Sequence, residues 1–468
     1  MFKDFESALD FIETNQIRMV DLKFVGLTGR WHHVTLSAKE FKPGLMTGGV
    51  GFDGSSVGLK SVKSGDMALI PDLSTAIIDP FWDTPTLSFI CNTVEADTKK
   101  LFHRDPREIL RRSEAFMRAC GIADESRWGP EFEFYVFSNV NYENHTQSAY
   151  YQIDAVEGFW NSAAPVIPQH GGYHAIPPRD QTFQLRTRMV TLLEEAGIPV
   201  KYHHHEVGSP GQCEIETPIL GMMEAADASM LIKYIVKMAA HQEGQVATFM
   251  PKPLFGEAGS GMHFHQQLFK NGINAFYDAQ GPNLLSKTAL YYIGGLLTHA
   301  PAVLAFTNPS TNSYCRLVPG YEAPVNCFFS SGNRSAAIRI PKYATQPEKV
   351  RFEFRPPDAT CNPYLAMSAM LMAGLDGIRN QIDPTAAGFG PIDENIFAWS
   401  PERRATIKAL PTSLSEALAA LNKDHDFLLA GEVFDEETIQ DWIKAKAAEE
   451  HALRTRPHPY EFELYFDL

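Results

Sequence analysis

The sequence predicts an α+β protein in two parts, a small mixed N-terminal domain followed by a much larger one. Two observations carry that expectation. Residues 1–100 alternate a helical opening with short apolar runs and Gly-rich turns, as in "LMTGGVGFDGSS". From residue 128 the character changes to strands carrying Glu, His or Arg between apolar residues, interspersed with long helical stretches.

The elements follow in order. "FESALDFIETN" has helical spacing, and "MVDLKFVG" and "TLSFICNT" read as strands. "HRDPREILRRSEAFMRACGI" reads as a linking helix, with Asp105 as N-cap and Pro106 at its first position. "ASMLIKYIVKMAAHQ" and "LSKTALYYIGGLLTHA" are the clearest later helices, and residues 400–455 keep helical spacing. The last stretch, "RPHPYEFELYFDL", is too apolar to leave in water.

With 468 residues, 44% hydrophobic and 21% charged, the chain can bury a sizeable core. A net charge of −15 argues against a nucleic-acid partner. The start is unlike a leader peptide, and the most apolar run, "YYIGGLLTHAPAVLAF", is cut by His299 and Pro301, so no membrane span is expected. Six cysteines without a CxxC suggest reduced, buried thiols and the cytoplasm.

"GPEFEFYVF" at 129–137 sets Glu131 and Glu133 into a strand whose side chains alternate faces. Phe132, Phe134 and Val136 point one way; the two carboxylates and Tyr135 point the other, the carboxylates roughly 7 Å apart. The same device recurs. "SGMHFHQQLF" aligns His263 with His265, and "VRFEFRP" aligns Arg351, Glu353 and Arg355. "YHHHEVGSPGQCEIE" reads as strand, turn, strand, bringing Glu206 opposite Glu214. Singly, each is a half-buried edge with solvated charges. Sharing one sheet, they would gather five carboxylates and an imidazole, which burial forbids without cations. Such a donor set suits two hard divalent ions such as Mg²⁺ or Mn²⁺, and zinc less well. Arg316, Arg334, Arg339, Arg351 and Arg355 follow within forty residues, as phosphoryl transfer requires. No P-loop motif is present.

These motifs resemble, nearly end to end, those of bacterial and archaeal type I glutamine synthetases. The match rests on "DGSS" at 53–56, "GPEFEF" at 129–134, "HHEVGSPGQCEIE" at 204–216 and "FMPKPLFGEAGSGMHFH" at 249–265. It continues through "NSYCRLVPGYEAPV" at 312–325, "NRSAAIRIP" at 333–341 and "FEFRPPDATCNPY" at 352–364. The resemblance implies a β-grasp-like domain over 1–105 and a catalytic domain over 106–468, built on an antiparallel barrel flanked by helices. It implies ATP-dependent ligation of ammonia to the γ-carboxylate of glutamate through an acyl phosphate. Glu133, Glu206 and Glu214 would hold one ion, and Glu131, His263 and Glu353 the other. Gly259, Arg316 and Arg355 would bind glutamate; His265, Arg334, Arg339 and Arg351 would serve ATP. Asp53, Ser56, Tyr173 and Glu206 would form the ammonium pocket, with Asp53, Arg334 and the flap residue Glu322 catalytic. Asp53 and Ser56 would come from a neighbouring subunit of a dodecamer of two hexameric rings, with the tail 456–468 reaching the opposite ring.

Three positions depart from the family pattern. Ala258 stands where many relatives carry Asn, and Ile219 where some place an aromatic residue. Phe397 replaces the tyrosine that some members adenylylate, so that modification is expected to be absent. The competing readings are a γ-glutamyl ligase for a polyamine or other amine, a non-catalytic structural relative, and a two-metal hydrolase.

Overall fold

The computed structural model describes residues 2–60, 64–161, 165–320, 323–394 and 396–468, with the backbone alone at Phe397. The first helix, Phe5–Thr14, starts at a capping box between Asp4 and Ser7 and buries Phe5, Ala8 and Ile12. It covers a sheet of strands β1 (Met19–Val25), β2 (Trp31–Ser37), β3 (Val50–Asp53), β4 (Asp66–Pro71), β5 (Ile77–Ile78) and β6 (Thr86–Glu95). The spatial order is β2-β1-β6-β4-β3; β1 and β6 are parallel and the other pairs antiparallel.

The linking helix, Pro106–Ala119, begins as expected, with Asp105 accepting from Arg107 N and Pro at its first position. Asp105 also accepts from Thr93 N at 2.8 Å, fixing the helix to β6. Arg107 is 1% exposed and ties the two parts together. Its guanidinium reaches Asp227 at 2.7 and 3.0 Å, Asn92 at 2.8 Å and Asp72 at 3.1 Å. Tyr364 donates to the same Asp227 at 2.7 Å.

The second sheet is built from β7 (Glu125–Phe137), β10 (Tyr202–His205), β11 (Gln212–Glu216), β12 (Leu220–Gly221), β13 (Val246–Thr248), β14 (Phe264–Lys270), β15 (Ile273–Asn274), β16 (Asn326–Ser330), β17 (Ala336–Arg339) and β18 (Phe352–Phe354). Its order is β10-β11-β7-β14-β18-β17-β16, antiparallel except for the parallel pair β16–β17. A separate hairpin, β8 (Asn139–Asn144) with β9 (Ala149–Asp154), stands apart and is largely exposed. The four polar-faced segments therefore lie along one sheet. Phe132, Phe134, Phe264, Phe352 and Phe354 turn to the other face, into the main core. Each such ring contributes about 2–3 kcal/mol of burial.

That core is closed by the helices Met222–Gln242, Lys287–Thr307 and Pro363–Arg379. The last two cross at a backbone-to-backbone approach: a Cβ on Gly295 would sit 2.5 Å from Gly377 Cα. Lys287–Thr307 continues as one helix through Pro301, beyond the stretch that reads as helical and across the residues that cut its apolar run. It is long and apolar enough to cross a membrane, but 78% of its apolar window is buried in this core.

All six cysteines are unpaired, and four are buried as expected; Cys120 and Cys315 are exposed instead. The tail ends in the helix Pro459–Tyr465, with Tyr460, Phe462, Phe466 and Leu468 exposed.

Candidate active site

The geometry starts from β7. Its partner on one side is β11, in a register that sets Glu133 opposite Glu214 and Glu131 opposite Glu216. Directly opposed residues share a face, so four carboxylates face one way across two strands. On the other side the segment leading into β14 pairs through Glu131 N to His263 O at 3.0 Å. Beyond it His265 lies opposite Glu353, and Glu353 opposite Arg339.

The hairpin register differs from the expected one. His204, not Glu206, lies opposite Glu214. Strand β10 ends at His205, and Glu206 turns into the loop, where its N–H donates to Gln212 O at 2.8 Å. The bend still returns the Glu206 carboxylate to Glu214. His204, Glu206 and Glu214 offer ligand atoms all within 4.8 Å of one another. His204 was not singled out, although its place in "HHHE" opposite a glutamate was the available signal.

Glu131, His263 and Glu353 form a second such group, all buried. His263 Nδ1 lies 3.0 Å from Glu131 Oε2 and 3.3 Å from Glu353 Oε1; His265 Nε2 lies 2.8 Å from Glu131 Oε1. Glu133 sits between the two groups, accepting from Gly261 N at 2.8 Å, with His263 Nε2 at 3.8 Å. A larger residue at Gly261 would displace site residues: a Cβ there would lie 2.3 Å from Arg316 Nη2 and 2.8 Å from His263 Nε2.

The electrostatics split the carboxylates. Burial opposes ionisation of Glu131, but the adjoining His265 and His263 outweigh it and hold its carboxyl well below the usual range. Glu353 is also buried; Arg355 and Arg339, with His263, overcome both burial and Glu131 to lower it. Glu214 goes the other way, raised well above the usual range by burial and by Glu131, Glu206 and Glu133. Three carboxylates facing a fourth is a charge distribution short of a cation, and the all-oxygen and imidazole donors fit a hard divalent ion.

Glu131, Glu133, Glu206, Glu214 and His263 open on one cavity of about 490 Å³ that Arg316, Arg334, Arg339 and Arg355 also line, while Glu353 is fully buried behind it. Arg355 Nη1 donates to Glu353 Oε1 at 2.6 Å, and Arg339 Nε to Glu353 Oε2 at 2.6 Å. Arg316 is buried, donating to Pro356 O at 2.6 Å, with His263 Nε2 at 3.2 Å. Tyr173 and Gly259 also line the cavity. The carbonyl of Ala258, also at its wall, accepts from Tyr135 Oη at 2.6 Å.

Not every expected residue is there. Arg351 lies beside the cavity, over the ring of Tyr343 at 5.5 Å, and Tyr343 is a lining residue. His265 reaches the cavity only through Glu131. Asp53 and Ser56 lie at the edge of the N-terminal sheet, exposed and outside this cavity. Ser56 Oγ donates to Asp53 Oδ2 at 2.6 Å and Ser55 N to Oδ1 at 2.9 Å, which holds the exposed Asp53 carboxyl low. Glu322 lies outside the described residues, as does the side chain of Phe397.

Carboxylate–imidazole groups and arginines lining one cavity define a metal-dependent enzyme of phosphoryl chemistry. Residues 16–96 match the family model for the glutamine synthetase β-grasp domain, and residues 103–465 that for the glutamine synthetase catalytic domain. The chain is 46% identical to the glutamine synthetase of Streptomyces coelicolor over the whole of both chains. It superposes on a cryo-EM structure of Plasmodium falciparum glutamine synthetase with a TM-score of 0.88 at 29% identity, covering 99% of each chain. A GmaS/ADP complex follows, with a TM-score of 0.82 at 26% identity over all of both chains. The chain belongs to the glutamine synthetase family, and it is an ATP-dependent glutamate–ammonia ligase.

Proposed function

We propose that the 490 Å³ cavity is where glutamine is made, and that its residues act as follows. The observation behind this reading is the convergence of two acidic groups and four arginines from separate strands and loops on one space. Glu131, His263 and Glu353 would hold one divalent ion and Glu133, Glu206 and Glu214 another, with His204 a further donor beside the second. When bound, these ions, Mg²⁺ or Mn²⁺, supply positive charge to the phosphates and to the substrate carboxylate.

The chain's own groups do the rest. Arg316, Arg355 and Gly259 orient glutamate, so that a γ-carboxylate oxygen meets the γ-phosphorus of ATP. Arg334 and Arg339 balance charge on the transferring group, with His265 and Arg351 supporting the nucleotide side. The oxygen–phosphorus bond forms as the bond to ADP breaks, giving γ-glutamyl phosphate. Ammonium gives up a proton to a carboxylate of its pocket. The ammonia adds to the acyl carbon, phosphate departs with the bonding electrons of its C–O bond, and the nitrogen's extra proton leaves to the same acidic pocket or to phosphate. Burial and the nearby Glu206 raise the Tyr173 phenol, keeping it a hydrogen-bond donor beside the carboxylate that attracts ammonium.

Asp53 and Ser56 complete the ammonium pocket of a neighbouring subunit, and Glu322 closes it. Their exposure at a sheet edge supports that arrangement, as the exposed aromatic tail supports assembly into two rings. On this reading the parts divide at 105/106. ATP use and unpaired thiols favour the cytoplasm.

The test is phosphate release from ATP and glutamate with ammonium, putrescine or ethanolamine, recording product masses. Release with ammonium, giving glutamine and abolished in Glu133→Ala, is expected; release mainly with the larger amines would overturn the acceptor assignment.

A further inference from the structure

A second cavity, of about 680 Å³, lies where the N-terminal sheet meets the helix Met222–Gln242, away from the catalytic residues. Its walls are aromatic. Trp31 from β2, Trp82 from the loop before β6 and Tyr234 from the helix all line it, and Trp82 is 54% exposed. Trp31 and Tyr234 stand with ring centroids 6.0 Å apart, while Phe81 packs edge-on against Tyr234 from behind.

Apart from the Tyr234 phenol, the titratable groups lining this cavity are Asp21, Lys23, Asp83 and the imidazoles His32 and His33. Lys23 lines it, but its ammonium is neutralised by Asp21 at 2.7 Å and Asp79 at 3.2 Å. That ammonium also lies 4.9 Å from the Tyr234 ring centroid and 6.0 Å from that of Trp31. Asp21 is further held by His33 Nδ1 at 2.7 Å and Thr35 Oγ1 at 2.6 Å, and Asp79 by Tyr234 Oη at 2.8 Å. Asp83, an exposed carboxylate beside Trp82, adds a negative charge at the mouth. The cavity's own lysine is thus an example of a cation seated between carboxylates and ring faces. Indole and phenol faces attract cations through the ring quadrupole, more strongly where water is thinned out.

We propose that this cavity binds a small organic cation, an amine or guanidinium compound, between Trp31, Trp82 and Tyr234, with Asp83 closing on its charge. Among the described lining residues the one lysine, Lys23, is already paired with Asp21 and Asp79, so an anion meets no free ammonium there. The site spans both parts of the chain: β2 shares a sheet with β3, which ends at Asp53, and the Tyr234 helix packs on β7, which bears Glu131 and Glu133. An occupant joins those two bodies without touching any residue assigned to chemistry.

Two of the chain's six tryptophans line this cavity, so intrinsic fluorescence of the assembled full-length protein reads it directly. Arginine and putrescine serve as cationic probes and glutarate as the anionic control. Expected is a saturable change with a cation and none with glutarate. Trp82→Ala and Asp83→Asn should each weaken binding about tenfold, the cation–π and charge contributions respectively. Glutamine formation without added arginine or putrescine should stay unchanged in both variants. No saturable change with either cation, an equal response to glutarate, or affinity untouched by both substitutions would overturn the proposal. So would solvent protection of Trp82 in the ligand-free assembled protein, which would show that a neighbouring subunit fills the space.

Discussion

Two clusters of carboxylates in this molecule arrive at opposite states. At the junction of the two parts, Arg107 meets Asp227, Asp72 and Asn92, and Asp227 is completed by Tyr364. Every group there has a partner of the right sign or polarity. Along β7 and β11 Glu133 faces Glu214 and Glu131 faces Glu216 across one ladder, and Glu214 is pushed far up by burial and its neighbours. The first cluster is complete within the chain. The second is complete only with cations added, so its residues are arranged for function against local stability.

The comparison is broken most forcefully by exchanging what each cluster lacks or has. Glu353→Gln, removing a carboxylate held by Arg339 and Arg355, should cut glutamine formation at least about a thousandfold, or about 4 kcal/mol in barrier. The fold should survive, as judged by circular dichroism; retained activity would remove Glu353 from the site. Arg107→Met should instead cost about 3–5 kcal/mol in stability, because it strands Asp227 in the interior. Asp227→Asn keeps one acceptor oxygen for Arg107 Nε and Tyr364 but turns an NH2 toward Arg107 Nη2, which Asp72 still pairs, so it should cost less by denaturant titration.

Glu214→Gln sharpens the contrast. With a chelator present it should stabilise the protein by about 1–2 kcal/mol, the reverse of an ordinary buried-charge substitution. Because the folded carboxyl is raised, the metal-free parent should lose stability as pH rises above the unfolded value, and the variant should not. Equal melting profiles in chelator would show that the site tolerates its own charge.

The smallest effect concerns a third cluster of the complete kind. His299 lies 2.8 Å from Asp424 and 3.0 Å from Asp376, joining three helical segments. Burial would lower its pKa, but these two carboxylates raise it to about 9. Its contribution is full below about pH 6.5 and lost as pH climbs through 9. Asp424 is 42% exposed on its side chain, so screening limits the effect to about 1 kcal/mol, which His299→Gln should abolish.

The sites of charge were more legible in the sequence than their pairing. Alternation in "EFEFYVF" places Glu131 and Glu133 correctly, because period two is a local property of any strand. Which residue faces Glu214 depends on where β10 stops, and a chain that turns at Glu206 defeated the simple hairpin reading. The Arg107–Asp227 contact was invisible: the two lie 120 residues apart on unrelated helices, with no periodicity linking them. Likewise Pro301 cuts the apolar run, yet it sits within a helix whose core packing outweighs the lost hydrogen bond.

Strand β7 is thirteen residues long and pairs with β11, β12, β13 and β14. A slip of one residue would exchange its two faces, sending Glu131 and Glu133 into the aromatic core and Phe132 and Phe134 into the cavity. Such a chain could neither bury its interior nor hold an ion. The alternation that places the carboxylates therefore also guards the fold: a misregistered copy would carry bare charge inside, which burial does not tolerate.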